Sequence, residues 1–207
     1  ILASDLAGES DRNMQHRREN VSTSLSAALP SKQSHTGPLL HSIEVPSHKR
    51  IEHYIEFYSQ DAGRAYLERC LSRMRPYEGF IRERIAAEGL PFELLYLPIV
   101  ESAYQVNAVS RTGATGLWQF MANSVTGGGV SESTMVINQW IDERRDFWKS
   151  TEGSLKKLKY NYDQTGDWLL ALAAYNCGLN RIERIIERTG IRDFFALADG
   201  GYLPRET

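Results

Sequence analysis

This sequence of 207 residues does not begin with methionine, and nowhere does it hold an apolar run approaching the roughly 20 residues needed to span a bilayer. Nothing near its start has the basic, apolar and small-residue order of a secretory signal, so any export is expected to depend on a segment upstream of Ile1. Cysteine is scarce. Cys70 and Cys177 stand far apart and fit no zinc or redox spacing. They are read either as a disulfide of an oxidising compartment or as two small buried hydrophobes. Excess positive charge is missing as well: 24 Lys and Arg against 26 Asp and Glu give a net charge of −2. That balance lacks the basic footprint of a nucleic-acid binder, and no nucleic acid is expected as a partner. His35, His41, His48 and His53 lie together near the start, but no cysteine or carboxylate joins them at ligand spacing. No metal and no organic cofactor is therefore expected. Sustained two-residue alternation and internal repeats are also absent.

What remains is a helical pattern behind an irregular start. Residues 1–45 are rich in Ser, Asn, Arg and His and read as an N-terminal extension. Residues 46–207 read as one mainly α domain. A helical period runs from His48 to Arg75, where Pro76 predicts a stop. Tyr77, Phe80, Ile81 and Ile85 mark a further helix that Gly89 would cap. Pro91 suits the start of a helix carrying Leu94, Leu95 and Leu97, and Pro98 must kink or restart it. Residues 105–119 read as loop, and the glycines at 127–129 predict a mobile loop. Leu155, Leu158 and Tyr162 form another apolar stripe. Asp167 would cap "WLLALAAY", and Asn180 with Glu183 resembles a capping box ahead of Ile182, Ile185 and Ile186.

The chemistry centres on "LYLPIVESAYQVNAVSRTGATGLWQFM", residues 95–121. Glu101 ends an apolar run. A carboxyl in such a wall resists ionisation and stays available as a general acid, as glycosidic cleavage requires at the leaving oxygen. Taken alone, Glu101 reads more readily as a helical glutamate facing water or an arginine, since perturbed carboxylates are a minority. Gly113 and Gly116 permit tight turns, Trp118 has a flat apolar face, and Gln119 carries a donor and an acceptor. That set suits a sugar ring, and it also suits a buried Trp beside an incidental Gln. Ala174-Tyr175-Asn176 ends an apolar helix, where a tyrosine hydroxyl can be aimed rigidly into a cleft or serve the core.

"ESAY", "AVSRTGATGLWQFM" and "ALAAYNCG", in this order, together resemble the lytic transglycosylases of the soluble-lytic-transglycosylase type. "LPIVES", "DERRD", "GDW" and "YLPRET" resemble most the membrane-bound lytic murein transglycosylase D branch. The resemblance covers roughly residues 75–207. It implies a lysozyme-like (goose-type or transglycosylase) helical domain with a substrate cleft. It also implies non-hydrolytic cleavage between N-acetylmuramic acid and N-acetylglucosamine in peptidoglycan glycan strands, leaving a 1,6-anhydro ring. Glu101 then carries over as the single acid and base. Ser102 would fix the local structure, and Ser110 would hydrogen-bond near the reacting sugar. Gln119 and Tyr175 would line the cleft, with Met121 and Asn176 behind them. The place implied is the periplasm or cell envelope, with a possible tether to the outer membrane through a missing N-terminus. The chain stops within "YLPRET" and is expected to be part of a longer protein. A muramidase that delivers water, with Asp142, Glu143 or Asp146 folded back as second carboxylate, remains an alternative. So does a glycan-binding domain without turnover.

Overall fold

The computed structural model describes residues 43–126 and 135–207, within one compact unit that spans Leu39–Thr207. The glycines at 127–129, His35, His41 and nearly all of the extension fall outside the described residues. Among those described there are helices and isolated bridges but no strand, as the sequence pattern implies.

The first helical period divides into α1 (Lys49–Ser59) and α2 (Asp61–Ala87). Gln60 between them is extended, with φ −80° and ψ 160°. A Cβ at Gly63 would stand 2.3 Å from the Phe57 carbonyl oxygen, so only glycine lets the two helices meet at this corner. The expected stop at Arg75 does not occur, because α2 runs through Pro76. An interior proline costs about 3 kcal/mol. Met74, Ile81 and Ile85 flank it on one buried face, and each contributes roughly 1.5–3 kcal/mol when fully buried. Long-range burial thus outweighs the local rule. The helix ends before Gly89, which takes the expected left-handed turn at φ +63°.

A 3-10 helix at Phe92–Tyr96 leads into α3 (Leu97–Ser102). Pro98 sits in the first turn of α3 and restarts the chain there, where its missing N–H is harmless. Leu94, Leu95 and Ile99 are buried. After the loop and the short α4 (Ala122–Thr126) come α5 (Phe147–Thr165) and α6 (Trp168–Cys177), packed along one another. Asp167 caps α6 as expected, its Oδ1 accepting from Leu170 N at 2.8 Å. The Asn180–Glu183 capping box does not form. Instead α7 (Leu179–Thr189) starts directly after Gly178, whose φ of 91° turns the chain without a side-chain cap. Helix α8 (Phe194–Asp199) carries no clear period in the sequence; it begins at Asp193, whose Oδ1 accepts from Ala196 N at 2.6 Å.

Two apolar clusters result. One gathers α2, α3, the loop and α5 around Ile81, Leu95, Leu117, Trp118 and Leu158. The other gathers α6, α7, α8 and the C-terminal turn around Leu170, Ala174, Ile182 and Leu197. Cys70 and Cys177 are free thiols, which settles the alternatives left open by the sequence in favour of unpaired residues.

Candidate active site

Glu101 is the penultimate residue of α3 and is half-buried. Directly after it the backbone turns back through Ala103 (φ 51°) and Tyr104 (φ 61°), two successive non-glycine residues in the left-handed region. Such strain persists only where neighbours enforce it. Here the Tyr104 hydroxyl donates to the Leu95 carbonyl at 2.6 Å, and the Ser102 hydroxyl donates to the Leu117 carbonyl at 2.7 Å. The second bond fastens the acid's helix to the loop opposite.

That loop, residues 105–121, has little regular pairing and is held from outside. Arg144 is 9% exposed and works as a clamp. Its Nη1 donates to the carbonyls of Gly113 (3.0 Å) and Phe120 (3.1 Å). Its Nε and Nη2 meet the two carboxylate oxygens of Asp142 at 2.8 and 2.7 Å. The same backbone closes on Gly116, where a Cβ would fall 1.8 Å from the Arg144 carbonyl oxygen, at φ +89°. Glycine at 116 is therefore a packing requirement.

Helix α5 supplies the rest of the frame. Trp118 is 0% exposed and its Nε1 donates to Thr151 Oγ1 at 2.9 Å. Of the two readings open for this tryptophan, the structure shows the buried one: it anchors the loop and offers no face to a sugar. Tyr175 of α6 is 7% exposed. Its hydroxyl donates to the Trp118 carbonyl at 2.8 Å, so the hydroxyl of Ser154 is the donor in their 2.7 Å contact. Burial raises the Tyr175 pKa well above its usual value, and the nearby Glu101 charge raises it further. The phenol stays neutral.

The carboxyl of Glu101 is pushed from its ordinary 4.5 up to about 7. Burial is the main cause, and Lys157 of α5 partly opposes it. Lys157 is half-buried, with its pKa lowered by burial and partly restored by Glu101. Its ammonium stands 4.6 Å from the centre of the Tyr175 ring and 3.5 Å from the Tyr175 carbonyl oxygen. Glu101, Lys157 and Tyr175 thus form one electrostatic group, and no other carboxylate contributes to the shift of Glu101. Asp142, Glu143 and Asp146 are engaged elsewhere. Asp142 holds Arg144, Glu143 pairs with Lys149, and Asp146 caps α5 at Lys149 N.

The remaining sequence candidates spread around this group. Gln119 has a left-handed backbone (φ 51°), and its Nε2 donates to the Gly116 carbonyl at 2.8 Å. Its amide oxygen accepts nothing among the described residues. The Ser110 hydroxyl lies inside the loop, accepting from Ala114 N at 3.0 Å. Met121 is 37% exposed. Asn176 is exposed, and its Oδ1 accepts from the Thr207 hydroxyl at 2.7 Å. Sequence reasoning missed Arg144, Thr151, Ser154 and Lys157. The one signal for the last three is their three-residue spacing beside the Leu155–Leu158 stripe, which puts polar groups on an apolar face.

Residues 80–197 match the model of the family described as Transglycosylase SLT domain. The chain is 33% identical over 168 residues to membrane-bound lytic murein transglycosylase D of Escherichia coli strain K12, a match covering 79% of this chain and 35% of that protein. The counterpart from strain O6:H1 matches to the same extent. A putative tributyltin chloride resistance protein of Alteromonas sp. strain M-1 is 34% identical over 116 residues, covering 56% of this chain and 54% of that protein. The matched part is thus about a third of the length of the Escherichia coli relatives and about half of the Alteromonas one.

Proposed function

Because the chain belongs to the transglycosylase SLT domain family, we propose that it cleaves peptidoglycan glycan strands as a lytic transglycosylase. The observation that carries this reading is a single half-buried carboxyl whose pKa is raised by desolvation to about 7, with no second carboxylate among the described residues acting on it. Such a group is half protonated near neutral pH and can serve as acid and base in turn.

Protonated Glu101 gives its proton to the glycosidic oxygen as the bond to C1 of N-acetylmuramic acid breaks, and N-acetylglucosamine leaves with a free 4-hydroxyl. The 2-acetamido oxygen of the substrate supports the positive charge at C1. Glu101, now a carboxylate, takes the proton of the muramic 6-hydroxyl while O6 bonds to C1 and displaces the acetamide. No water is consumed, and the acid ends protonated. Lys157 favours the anion that forms in the first step. Tyr175 acts through the backbone, because its hydroxyl holds Trp118 beside Gln119. In this reading the amide of Gln119 and the exposed Met121 and Asn176 meet the sugar, while Ser102 and Ser110 shape the cleft from behind. Residues 46–207 form the catalytic domain, with the motifs in 75–207.

The substrate places the activity in the periplasm or cell envelope. The "membrane-bound" in the names of the Escherichia coli relatives supports a tether outside the segment described here; no helix among the described residues is long and apolar enough to cross a membrane. Mass spectrometry of digested peptidoglycan tests the reaction. Anhydro-muropeptides, each lighter by one water than the hydrolytic product, are expected. Reducing-end products alone would replace this reading with a muramidase.

A further inference from the structure

The exposed side of α7 holds a second feature that the reaction does not use. Arg181, Arg184 and Arg188 line a surface cleft of about 500 Å³ together with Ile185 and Tyr202. Their spacing of three and four residues stacks three like charges on one helix face, an arrangement that weakens an isolated helix. Among the described residues, no carboxylate comes within ion-pair distance of any of the three, although Glu183 and Glu187 belong to the same helix.

Part of the cleft is held in place. Ile185 is buried in the apolar cluster below and forms the floor. Arg184 Nε donates to the Asn180 carbonyl at 3.0 Å, which fixes its guanidinium plane while its two terminal nitrogens make no bond among the described residues. Tyr202 packs against Gly200, where a Cβ would lie 2.6 Å from the ring, and its N–H donates to the Leu197 carbonyl at 3.0 Å. Arg188 stands 5.9 Å from the centre of that ring.

We propose that this cleft binds a short peptide carrying at least two carboxylates, of the kind attached to the glycan that the active site cuts. Guanidinium groups with free terminal nitrogens suit carboxylates because both are planar and pair through two parallel hydrogen bonds. A single aromatic wall and an apolar floor suit the short side chains between those carboxylates. The net charge of −2 gives the chain no general attraction for polyanions, so the cationic cleft is a local recognition element. Its elements are also continuous with the glycan site. Helix α7 follows α6 after Gly178 alone, and the C-terminal turn bearing Tyr202 returns to Asn176 through the Thr207 hydroxyl. The choice of a glycan-borne peptide rests on the transglycosylase reading; the cleft's preference for carboxylates does not.

Two arms keep these claims apart. Calorimetry of the protein with a free tetrapeptide bearing two carboxylates, its amidated form, and inorganic phosphate reads the cleft without any cleavage. The dicarboxylate should bind, its amidated form should not, and Arg184→Gln with Arg188→Gln together should lower affinity by about tenfold or more. Equal binding of phosphate and the dicarboxylate, or full affinity in the double variant, would overturn the proposal. The second arm compares cleavage of strands that carry peptides with strands stripped of them. The wild type should prefer the former, and the preference should fall towards one in the double variant; an unaltered preference would overturn the link to the glycan. Absence of cleavage of both strands by the wild type would refute the transglycosylase reading alone and leave the calorimetric result standing.

Discussion

Asp142 and Glu101 both bear on the glycine-aromatic loop, and the fold treats them in opposite ways. Asp142 meets the guanidinium of Arg144 through both carboxylate oxygens, and those hydrogen bonds hold its pKa below the usual range. Glu101 is walled in without such a pair, and burial lifts it to about 7. The first carboxylate is charged at neutral pH and serves as structure, because it steadies the arginine that grips the loop at Gly113 and Phe120. The second can gain and lose a proton near neutral pH, which suits it to the reagent's part in the proposed reaction. One region gains stability from its charge; the other gives up stability to keep its proton.

The largest expected effect tests that trade directly. Glu101→Gln should lower turnover by about 10²–10⁴-fold, the usual contribution of a general acid. It should also change stability, with a sign fixed by linkage. The folded pKa of about 7 lies above the ordinary 4.5. The stability tied to the protonated carboxyl is therefore fully present below pH 4.5 and is lost as pH rises through 7. Glutamine cannot ionise, so the variant should be more stable than the wild type at pH 8 by roughly 2–3 kcal/mol, with the gap closing towards pH 4. Urea unfolding at both pH values checks this, and parallel curves would show that Glu101 is not buried as an acid.

At Asp142 the opposite outcome is expected. Arg144→Met leaves a charged, partly exposed carboxylate and the carbonyls of Gly113 and Phe120 without their donor, and stranding such acceptors costs about 1–3 kcal/mol. Stability should fall above the range in which Asp142 titrates, and turnover should fall with it as the loop loosens. A denaturation midpoint equal to that of the wild type would mean that the loop does not depend on the clamp. Tyr175→Phe should act more weakly. It removes one hydroxyl and strands the Trp118 carbonyl, an expected loss of about 1–3 kcal/mol in thermal unfolding. The phenol is neutral throughout the working range, so the pH dependence of turnover should keep its midpoint. A displaced midpoint would assign the hydroxyl a part in proton transfer.

The two acids also differ in how legible they were. The position of Glu101 was legible in local signals, an apolar run before it, Pro98 restarting the helix and glycines at fixed offsets after it, but those signals alone also fit a solvent-facing glutamate, and the combined motifs singled it out. The caps at Asp167 and Gly89 were legible for the same reason. The partnership of Asp142 with Arg144 was not, since "DERRD" permits many pairings and only the path of the loop selects one. Trp118 looked equally fit for a sugar or the core, and the packing of α5 decides between them through Thr151. Pro76 misled because a local backbone rule was outvoted by Met74, Ile81 and Ile85, whose common burial depends on distant segments. Helix α8 was too short to show a period.

The smallest expected effect is also the most discriminating for the unpaired acid. Lys157 of α5 and Tyr175 of α6 are the titratable groups that face Glu101, and of these only Lys157 carries charge. Its cation stabilises the carboxylate and so holds the pKa of Glu101 lower than burial alone would set it. Lys157→Met keeps the length of the side chain and removes that charge. The acid should then titrate higher. Turnover requires protonated Glu101 at its start, so the alkaline limb of the pH profile should move to higher pH, while the proton is given up less readily and the plateau falls. Lys157→Arg, which keeps a charge, should leave the limb near its original place. Were the limb fixed in both variants, Lys157 would be a packing residue over the Tyr175 ring, and the tuning of Glu101 would belong to burial alone.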